Sequence, residues 1–282
     1  MAATRRNNAE KGYGCIANME SLDYRLDRTV LIQASPATVF RYFTDSERWA
    51  KWWGAGSTID ARPGGNVCIR YPGGVEVQGE VLEVSAPDRI VFTYGFVSGK
   101  PIPPGSSRVT IQLEPCASGS TRLTLLHEFP DEGTRNEHVQ GWRYQLSVFG
   151  NVVADEVFAG ASAVVDGWFA AWAIPDAGAR GEAFDAIAMP GIVFRDRYSL
   201  LAGLADISAH AGAAQRFMPG IEMRRKGEVR QCQGMVLADW VAISVADGVA
   251  RMSGTNVFGL GVDGRIEAAT GFADPQQQRP TT

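Results

Sequence analysis

The chain has 282 residues, of which 45% are hydrophobic and 21% are charged, with 32 glycines and 14 prolines. This composition argues against disordered, collagen-like and coiled-coil classes, and the length favours two domains. The formal charge of -4 argues against general nucleic-acid binding, which needs a concentrated basic surface.

The cysteines and the two ends of the chain indicate where the protein works. Four scattered cysteines, with no CxxC pair and no Cys/His cluster, predict free thiols in a reducing compartment and no metal site. Charges interrupt every apolar stretch before the roughly 18 residues of a membrane span, and the start lacks a signal-peptide core. We therefore expect a cytoplasmic protein with no membrane segment, a frayed start over residues 1–22 and a polar tail over 275–282.

The first half predicts a strand, two short helices, a run of strands and a long helix. Ser35 and Pro36 mark an N-cap and a first helical residue, because proline has no N–H to leave unpaired there. The pattern Thr134 to Glu137 is a capping box, which predicts the start of the long helix. Between them, Gly/Pro turns separate alternating segments typical of an antiparallel meander, at 67–71, 75–84, 89–96, 107–114 and 121–129.

Aromatic and imidazole side chains of this half are candidates for ligand contact. Trp49, Trp52 and Trp53 share one side of a short helix, where they either wedge the helix onto the sheet or form a lip over a cavity. His127 alternates with Leu125 in an apolar strand, either as a hydrogen-bonded core residue or as a polar contact for a ligand. We expect His138 to be solvated. The candidate ligand contacts of this half are Trp53, Tyr71, Tyr94, His127 and Trp142.

Several motifs of this half occur together, namely Ser35-Pro36 with Val39-Phe40, Trp52-Trp53-Gly54, the stretch Gly79 to Val84, the strand Leu123 to Glu128, and His138 to Trp142. On these motifs, residues 25–155 resemble the START-like helix-grip (SRPBCC) superfamily, and within it the branch homologous to the heat-shock-protein-90 ATPase activator. The resemblance implies an antiparallel sheet wrapped on a long C-terminal helix, with a cavity for a hydrophobic ligand and no shared catalytic constellation.

The second half predicts three helices followed by long strands. Helical stripes occur at 165–172, 181–188 and 204–217, and a strand at 192–196 lies between the second and third. Strands at 221–246 (two), 249–258 and 265–272 close the chain. The motifs of this half are Phe194-Arg195-Asp196, Gly203 to His210, Phe217 to Gly220, Gly234 to Trp240 and Gly264 to Ile266. On these motifs, residues 160–273 resemble the nuclear-transport-factor-like superfamily, most closely the SnoaL-like polyketide cyclases.

The resemblance implies a cone-shaped α+β barrel, a homodimer through this domain, and a role for Asp196. In the related ketosteroid isomerases an aspartate at the corresponding place moves a proton alpha to a carbonyl. Alternatively, Asp196 makes surface salt bridges with Arg195 and Arg197. Trp168 and Asn256 stand where those isomerases carry their oxyanion-stabilising groups, so the full isomerase apparatus is not expected.

Other polar and aromatic residues of this half complete the candidate site. Asn256 alternates with apolar neighbours, so its amide faces inward and needs a partner, either a structural network with Tyr198, His210 or Trp240, or a ligand carbonyl. His210 is either a second acid/base or a helix-surface residue. We expect Trp172 and Trp240 to form walls of the cavity.

The sequence as a whole predicts an α+β protein, with a helix-grip domain at 23–159 fused to the barrel domain at 160–274. We expect a small-molecule enzyme that acts on a hydrophobic, carbonyl-rich, polyketide-like substrate by proton transfer, cyclisation or isomerisation, without cofactor or metal. Asp196 and His210 would be the catalytic groups. The alternative is a non-catalytic protein that binds a hydrophobic ligand or acts like a co-chaperone.

Overall fold

The computed structural model describes residues 21–275 and is a mixed α+β fold with two sheets. Of the predicted frayed start at 1–22 and polar tail at 275–282, residues 1–20 and 276–282 lie outside the described residues. The first sheet is antiparallel and has the order β1-β7-β6-β5-β4-β3-β2. Its strands are β1 (Tyr24–Ile32), β2 (Thr58–Ile59), β3 (Asn66–Arg70), β4 (Glu76–Ser85), β5 (Arg89–Phe96), β6 (Ser107–Pro115) and β7 (Thr121–Phe129).

Helices α1 (Pro36–Arg41), α2 (Ser46–Trp53) and α3 (Glu132–Val157) complete this half. The prediction for α1 is confirmed, because the Ser35 side chain accepts the N–H of Thr38 at 3.3 Å. The predicted start of α3 at Thr134 is wrong by two residues. Asp131 is the N-cap and accepts the Thr134 N–H at 2.9 Å and the Thr134 hydroxyl at 2.7 Å.

The second sheet has the order β10-β11-β12-β13-β8-β9, with β13 and β8 parallel and the other pairs antiparallel. The three-residue strand β9 has too little pattern to be predicted. The elements of this half are α4 (Ala161–Ala171), α5 (Ala177–Ile187), β8 (Ala188–Arg195), β9 (Leu200–Ala202), α6 (Leu204–Phe217), β10 (Ile221–Cys232), β11 (Met235–Ser244), β12 (Ala250–Leu260) and β13 (Ile266–Ala273).

The buried apolar residues form two clusters that meet on α3. The first cluster lies between the first sheet and α1 to α3 and extends to Val153. The second begins with Ala154 and Phe158 and continues between the second sheet and α4 to α6. Because α3 contributes to both clusters, its last turn links the two halves. The domain boundary near residue 159 stays a prediction.

Two further findings concern the whole of the described chain. No single helix in it is both long and apolar enough to cross a membrane, although α3 and α4 meet that criterion together as a pair bent by 55°. Cys68, Cys116 and Cys232 are free thiols, and Cys15 lies outside the described residues.

Candidate functional site

The second half contains a cavity of about 550 Å³ between its sheet and its helices. This volume is within the range of small-molecule sites. Apolar and aromatic side chains make most of its wall, and the strongly exposed Tyr198 and Phe217 lie at its rim. All seven site residues predicted for this half line it, namely Trp168, Trp172, Asp196, Tyr198, His210, Trp240 and Asn256.

Strand alternation explains why these residues meet. Trp240 on β11 pairs with Gly254 on β12, and Asn256 pairs with Gly271 on β13. Alternate residues of β11 and β12 face the helices and are buried, so Trp240 and Asn256 point to the same side of the sheet. Gly254 has no side chain to fill this space, and a Cβ there would lie 2.7 Å from the Trp240 ring.

Three indole N–H groups in the cavity wall have no hydrogen-bond partner among residues 21–275. They belong to Trp168, Trp172 and Trp240, and each Nε1 atom is buried. A buried donor without a partner is costly, and nearly all such groups in folded proteins are satisfied. Three of them lie on residues that line one cavity.

Asp196 and Asn256 lie close to each other in this wall. A Cβ atom placed on Gly271 would lie 3.5 Å from Cβ of Asp196 and 3.2 Å from Oδ1 of Asn256. The Asp196 carboxylate accepts the backbone N–H of Tyr198 at 2.8 Å and forms no ion pair within the described residues. Within residues 21–275, Asp196 therefore does not form the alternative salt bridges with Arg195 and Arg197. One carboxylate oxygen is held by the loop, and the group borders the cavity.

His210 lies on α6 at another part of the same wall. Its Nε2 is 3.2 Å from the Ser199 hydroxyl, and its ring packs edge-on against Trp172 at 5.8 Å between centroids. The imidazole is thus hydrogen-bonded to Ser199 and borders the cavity.

Sequence reasoning missed several residues of the wall. Ser199, in the short loop before β9, gave no signal of its own. Met223 and Met252 lie on β10 and β12, where strand alternation could have indicated them. Gly271 could have been found as the cross-strand partner of Asn256, but only once the register was known.

The five candidates of the first half contact each other in its core. The ring centroids of Trp53 lie 5.7 Å from Tyr71 and 5.6 Å from Trp142, and the hydroxyls of Tyr71 and Tyr94 are 3.2 Å apart. Burial raises the pKa of Tyr71 to about 12 and also raises that of Tyr94. Trp49, Trp52 and Trp53 are all buried, so α2 is wedged onto the sheet. The contact of these five residues with a ligand stays a prediction.

His127 is a fully buried, hydrogen-bonded core residue. The Trp142 indole donates to its Nδ1 at 2.8 Å, so its proton is on Nε2, which donates to the Ser107 hydroxyl at 2.8 Å. That hydroxyl donates to the Tyr94 carbonyl at 2.8 Å. Burial lowers the pKa of His127 well below its usual value, which keeps the ring neutral.

The prediction of a solvated His138 is wrong. Its side chain is buried, because it lies one helical turn from both Thr134 and Trp142, on the buried face of α3. Its Nδ1 lies 2.8 Å from the Thr134 carbonyl and donates to it. Burial lowers its pKa as well.

No cluster of three or more His, Cys, Asp or Glu residues that could hold a metal ion occurs within residues 21–275. The polar groups of the cavity wall are one carboxylate, one guanidinium, one imidazole, one phenol, one hydroxyl, two amides and three indoles, on Asp196, Arg197, His210, Tyr198, Ser199, Gln215, Asn256, Trp168, Trp172 and Trp240.

Comparison with known proteins concerns both halves. Residues 33–154 match the family model of the activator of Hsp90 ATPase homolog 1-like proteins. This match confirms the predicted resemblance of the helix-grip half. A search of curated proteins found no match.

Three solved structures illustrate the similarity to known folds. A SnoaL-like family protein from Agrobacterium tumefaciens is 25% identical, with 40% of this chain and 97% of that chain covered and a TM-score of 0.39. CalU16 from Micromonospora echinospora is 25% identical, with 47% and 77% covered and a TM-score of 0.39. The Aha1 dimer from Colwellia psychrerythraea is 16% identical, with 46% and 96% covered and a TM-score of 0.41. The family of the first structure is the one that the second half was predicted to resemble.

Proposed function

We propose that the second half binds a hydrophobic small molecule with at least one carbonyl group and moves a proton next to that carbonyl. The supporting observation is the set of three buried, unpartnered indole donors in one largely apolar cavity, at Trp168, Trp172 and Trp240. A ligand without oxygen acceptors would leave all three unsatisfied. A carbonyl-rich, polyketide-like molecule would satisfy them and fill the apolar wall.

The proton transfer is assigned to Asp196. Its carboxylate takes a proton from the carbon beside the carbonyl, and the electron pair moves onto the carbonyl oxygen to form an enolate. One of the indole donors and the Asn256 amide hydrogen-bond to that oxygen as its negative charge develops, which lowers the barrier. Protonated Asp196, or His210, then returns a proton to the carbon. No cofactor or metal takes part in this scheme.

Hydrogen exchange in a simple ketone tests this function without knowledge of the natural substrate. The probe is 2-tetralone, a bicyclic aromatic ketone with exchangeable protons beside its carbonyl, incubated with the full chain in D₂O and followed by proton NMR. We expect exchange above the buffer rate, with a loss of about 100-fold or more in Asp196→Asn, because general-base catalysis contributes that much. Asp185→Asn, on the exposed surface of α5, is the matched control and should exchange like the wild type. Equal rates in Asp196→Asn and the wild type would refute the assigned base.

A second candidate function is ligand binding without catalysis. It is favoured by the largely apolar and aromatic wall of the second-half cavity, which can hold a hydrophobic molecule without any reacting group. This candidate would be supported if 2-tetralone bound to the cavity and exchanged only at the buffer rate. A co-chaperone role would instead appear as stimulation of a heat-shock-protein-90 ATPase by the purified protein.

The proposal includes a cytoplasmic homodimer that forms through the second half. The face of the second sheet opposite the cavity carries half-buried Leu237, Val241 and Val257, together with Phe272, which is 57% exposed. Such an apolar sheet face can pair with a second copy. Light scattering should give the mass of a dimer for the wild type and of a monomer for Phe272→Glu.

A further inference from the structure

A second cavity lies where the two halves meet. It has a volume of about 260 Å³ and is formed by β1, by α3 and by the tip of the β10–β11 hairpin. Arg28, Arg143, Ser147 and Gln233 supply its polar groups. A smaller cavity of about 120 Å³ shares Gly150 and Gln233 with it.

Two guanidinium groups line this junction cavity, and none of its lining residues in the described range is acidic. The Nε atom of Arg28 is buried and has no hydrogen-bond partner among residues 21–275. Its Nη1 donates only to the carbonyl of the neighbouring Asp27, at 2.9 Å. Arg28 occupies an inward-facing position of β1, in register with Leu26 and Ile32, so its charge is directed toward α3. Two like charges beside an unsatisfied N–H favour an anion as the occupant.

The hairpin that completes the cavity is anchored to α3. Gln231 donates to Asp155 at 2.6 Å, which fixes the end of β10 on the helix. Gln233 has a φ of 49°, a region that long side chains rarely occupy. Its amide lies over Gly150, where a Cβ would come within 3.3 Å of it. The missing side chain at Gly150 therefore leaves room for the Gln233 amide at the cavity wall.

The rest of the wall is apolar, which restricts the occupant further. Val30, Leu31 and Leu146 line the space beside the two arginines. Leu31 is 54% exposed, so this wall is accessible from solvent. We infer that the junction cavity binds a small organic carboxylate with a short aliphatic body. Its carboxylate would be held by Arg28 and Arg143, and its body would lie on the apolar wall. Such a ligand would contact both halves and hold them together.

Calorimetric titration of the full chain with hexanoate tests this inference, with hexanol and inorganic phosphate as comparison ligands. We expect hexanoate to bind more tightly than either, because hexanol lacks the charge and phosphate lacks the aliphatic body. Loss of one charge-assisted hydrogen bond should weaken hexanoate binding about tenfold or more in Arg28→Gln and in Arg143→Gln. Arg62→Gln, next to the opposite edge strand of the same sheet, is the control and should bind like the wild type.

Arg143 is exposed, so its variant tests the site even if Arg28→Gln fails to fold. Hexanoate binding that is unchanged in Arg143→Gln would overturn the inference. Equal affinity for hexanoate and for hexanol or phosphate would also overturn it. So would a loss of hexanoate affinity only in Arg197→Gln, because Arg197 lines the other cavity. None of these outcomes depends on 2-tetralone exchange, so the junction site and the proposed function can fail independently.

Discussion

Asp196 and Asn256 share one neighbour, Gly271, and a Cβ atom on that glycine would lie 3.5 Å from Asp196 Cβ and 3.2 Å from Asn256 Oδ1. The proposed base and the proposed amide donor thus depend on the same missing side chain. The second contact is tighter than an ordinary van der Waals contact, so Gly271→Ala must displace the amide by a few tenths of an ångström.

Gly271→Ala should therefore fold and lose activity. We expect the 2-tetralone exchange rate to fall about tenfold, since small misplacements of catalytic groups are costly. Gly259→Ala is the matched control, because its nearest neighbour would be 3.9 Å away and it is not part of the cavity wall. Circular dichroism checks the fold of both variants. If both alanine variants changed the exchange rate equally, activity would not depend on the space beside Gly271.

Phenylalanine substitutions of the three cavity indoles should weaken binding without the loss of a hydrogen bond within the protein. Each leaves a space where the larger ring was but also removes a buried donor that has no partner, so the loss of unfolding free energy should be about 1 kcal/mol smaller than where an indole hydrogen bond is lost as well. The affinity for 2-tetralone should fall in at least one of Trp168→Phe, Trp172→Phe and Trp240→Phe. Trp49→Phe is the reverse case. Its indole donates to the Cys68 carbonyl at 3.2 Å, so this variant should lose about 1 kcal/mol more unfolding free energy than Trp168→Phe, which is equally buried, and keep binding. Fluorescence titration and urea unfolding measure the two effects.

Trp142 and Trp53 provide a matched pair in the first half. Both are almost fully buried, but only Trp142 uses its N–H, in the 2.8 Å bond to His127. Trp142→Phe leaves the imidazole acceptor unpaired and should cost about 1–3 kcal/mol more unfolding free energy than Trp53→Phe. Urea unfolding of both variants measures the difference. Equal losses would mean that the hydrogen bond to His127 contributes nothing.

Stability should fall as the pH drops below about 6.5, the ordinary histidine pKa. Burial lowers the folded-state pKa of His127 and of His138, so the unfolded chain binds protons that the folded chain excludes. Stability is therefore complete above the unfolded pKa and declines toward the lower folded values. Between pH 7.5 and 5.5 we expect a loss of about 1–3 kcal/mol. Urea unfolding at both pH values should show a smaller loss in His127→Gln than in the wild type. An equal loss in the two proteins would mean that His127 is not responsible.

The sequence predicts the two-sheet α+β fold because its signals are local. Strand alternation, Gly/Pro turns and the Ser35 N-cap each depend on a few neighbouring residues. The start of α3 was misplaced because Asp131 and Thr134 are both good caps, and only the structure shows that Asp131 accepts the N–H of Thr134.

The residues predicted for the second half all line one cavity, whereas those predicted for the first half pack against each other, and this difference has a physical reason. Alternation indicates which face of a strand a residue such as Asn256 or His127 occupies, but not whether the space in front of it is empty. Packing decides that point. His127 meets the indole of Trp142, whereas Asn256 meets a cavity. The junction cavity was not predicted, since it depends on Arg28 and Gln233, which are far apart in the chain and were in no recognised motif.

The most direct test of the central claim, that the cavity binds a carbonyl through its unpaired indoles, is an NMR titration of the seven ¹⁵N-labelled tryptophan side chains. We expect 2-tetralone, whose single oxygen accepts at most two hydrogen bonds, to shift at least one of the indole N–H signals of Trp168, Trp172 and Trp240 downfield, and the oxygen-free analogue tetralin to leave all three nearly unchanged. The signal of Trp53, unpaired but outside this cavity, should stay in place with both compounds. Unshifted cavity signals, or equal shifts with tetralin, would contradict the claim.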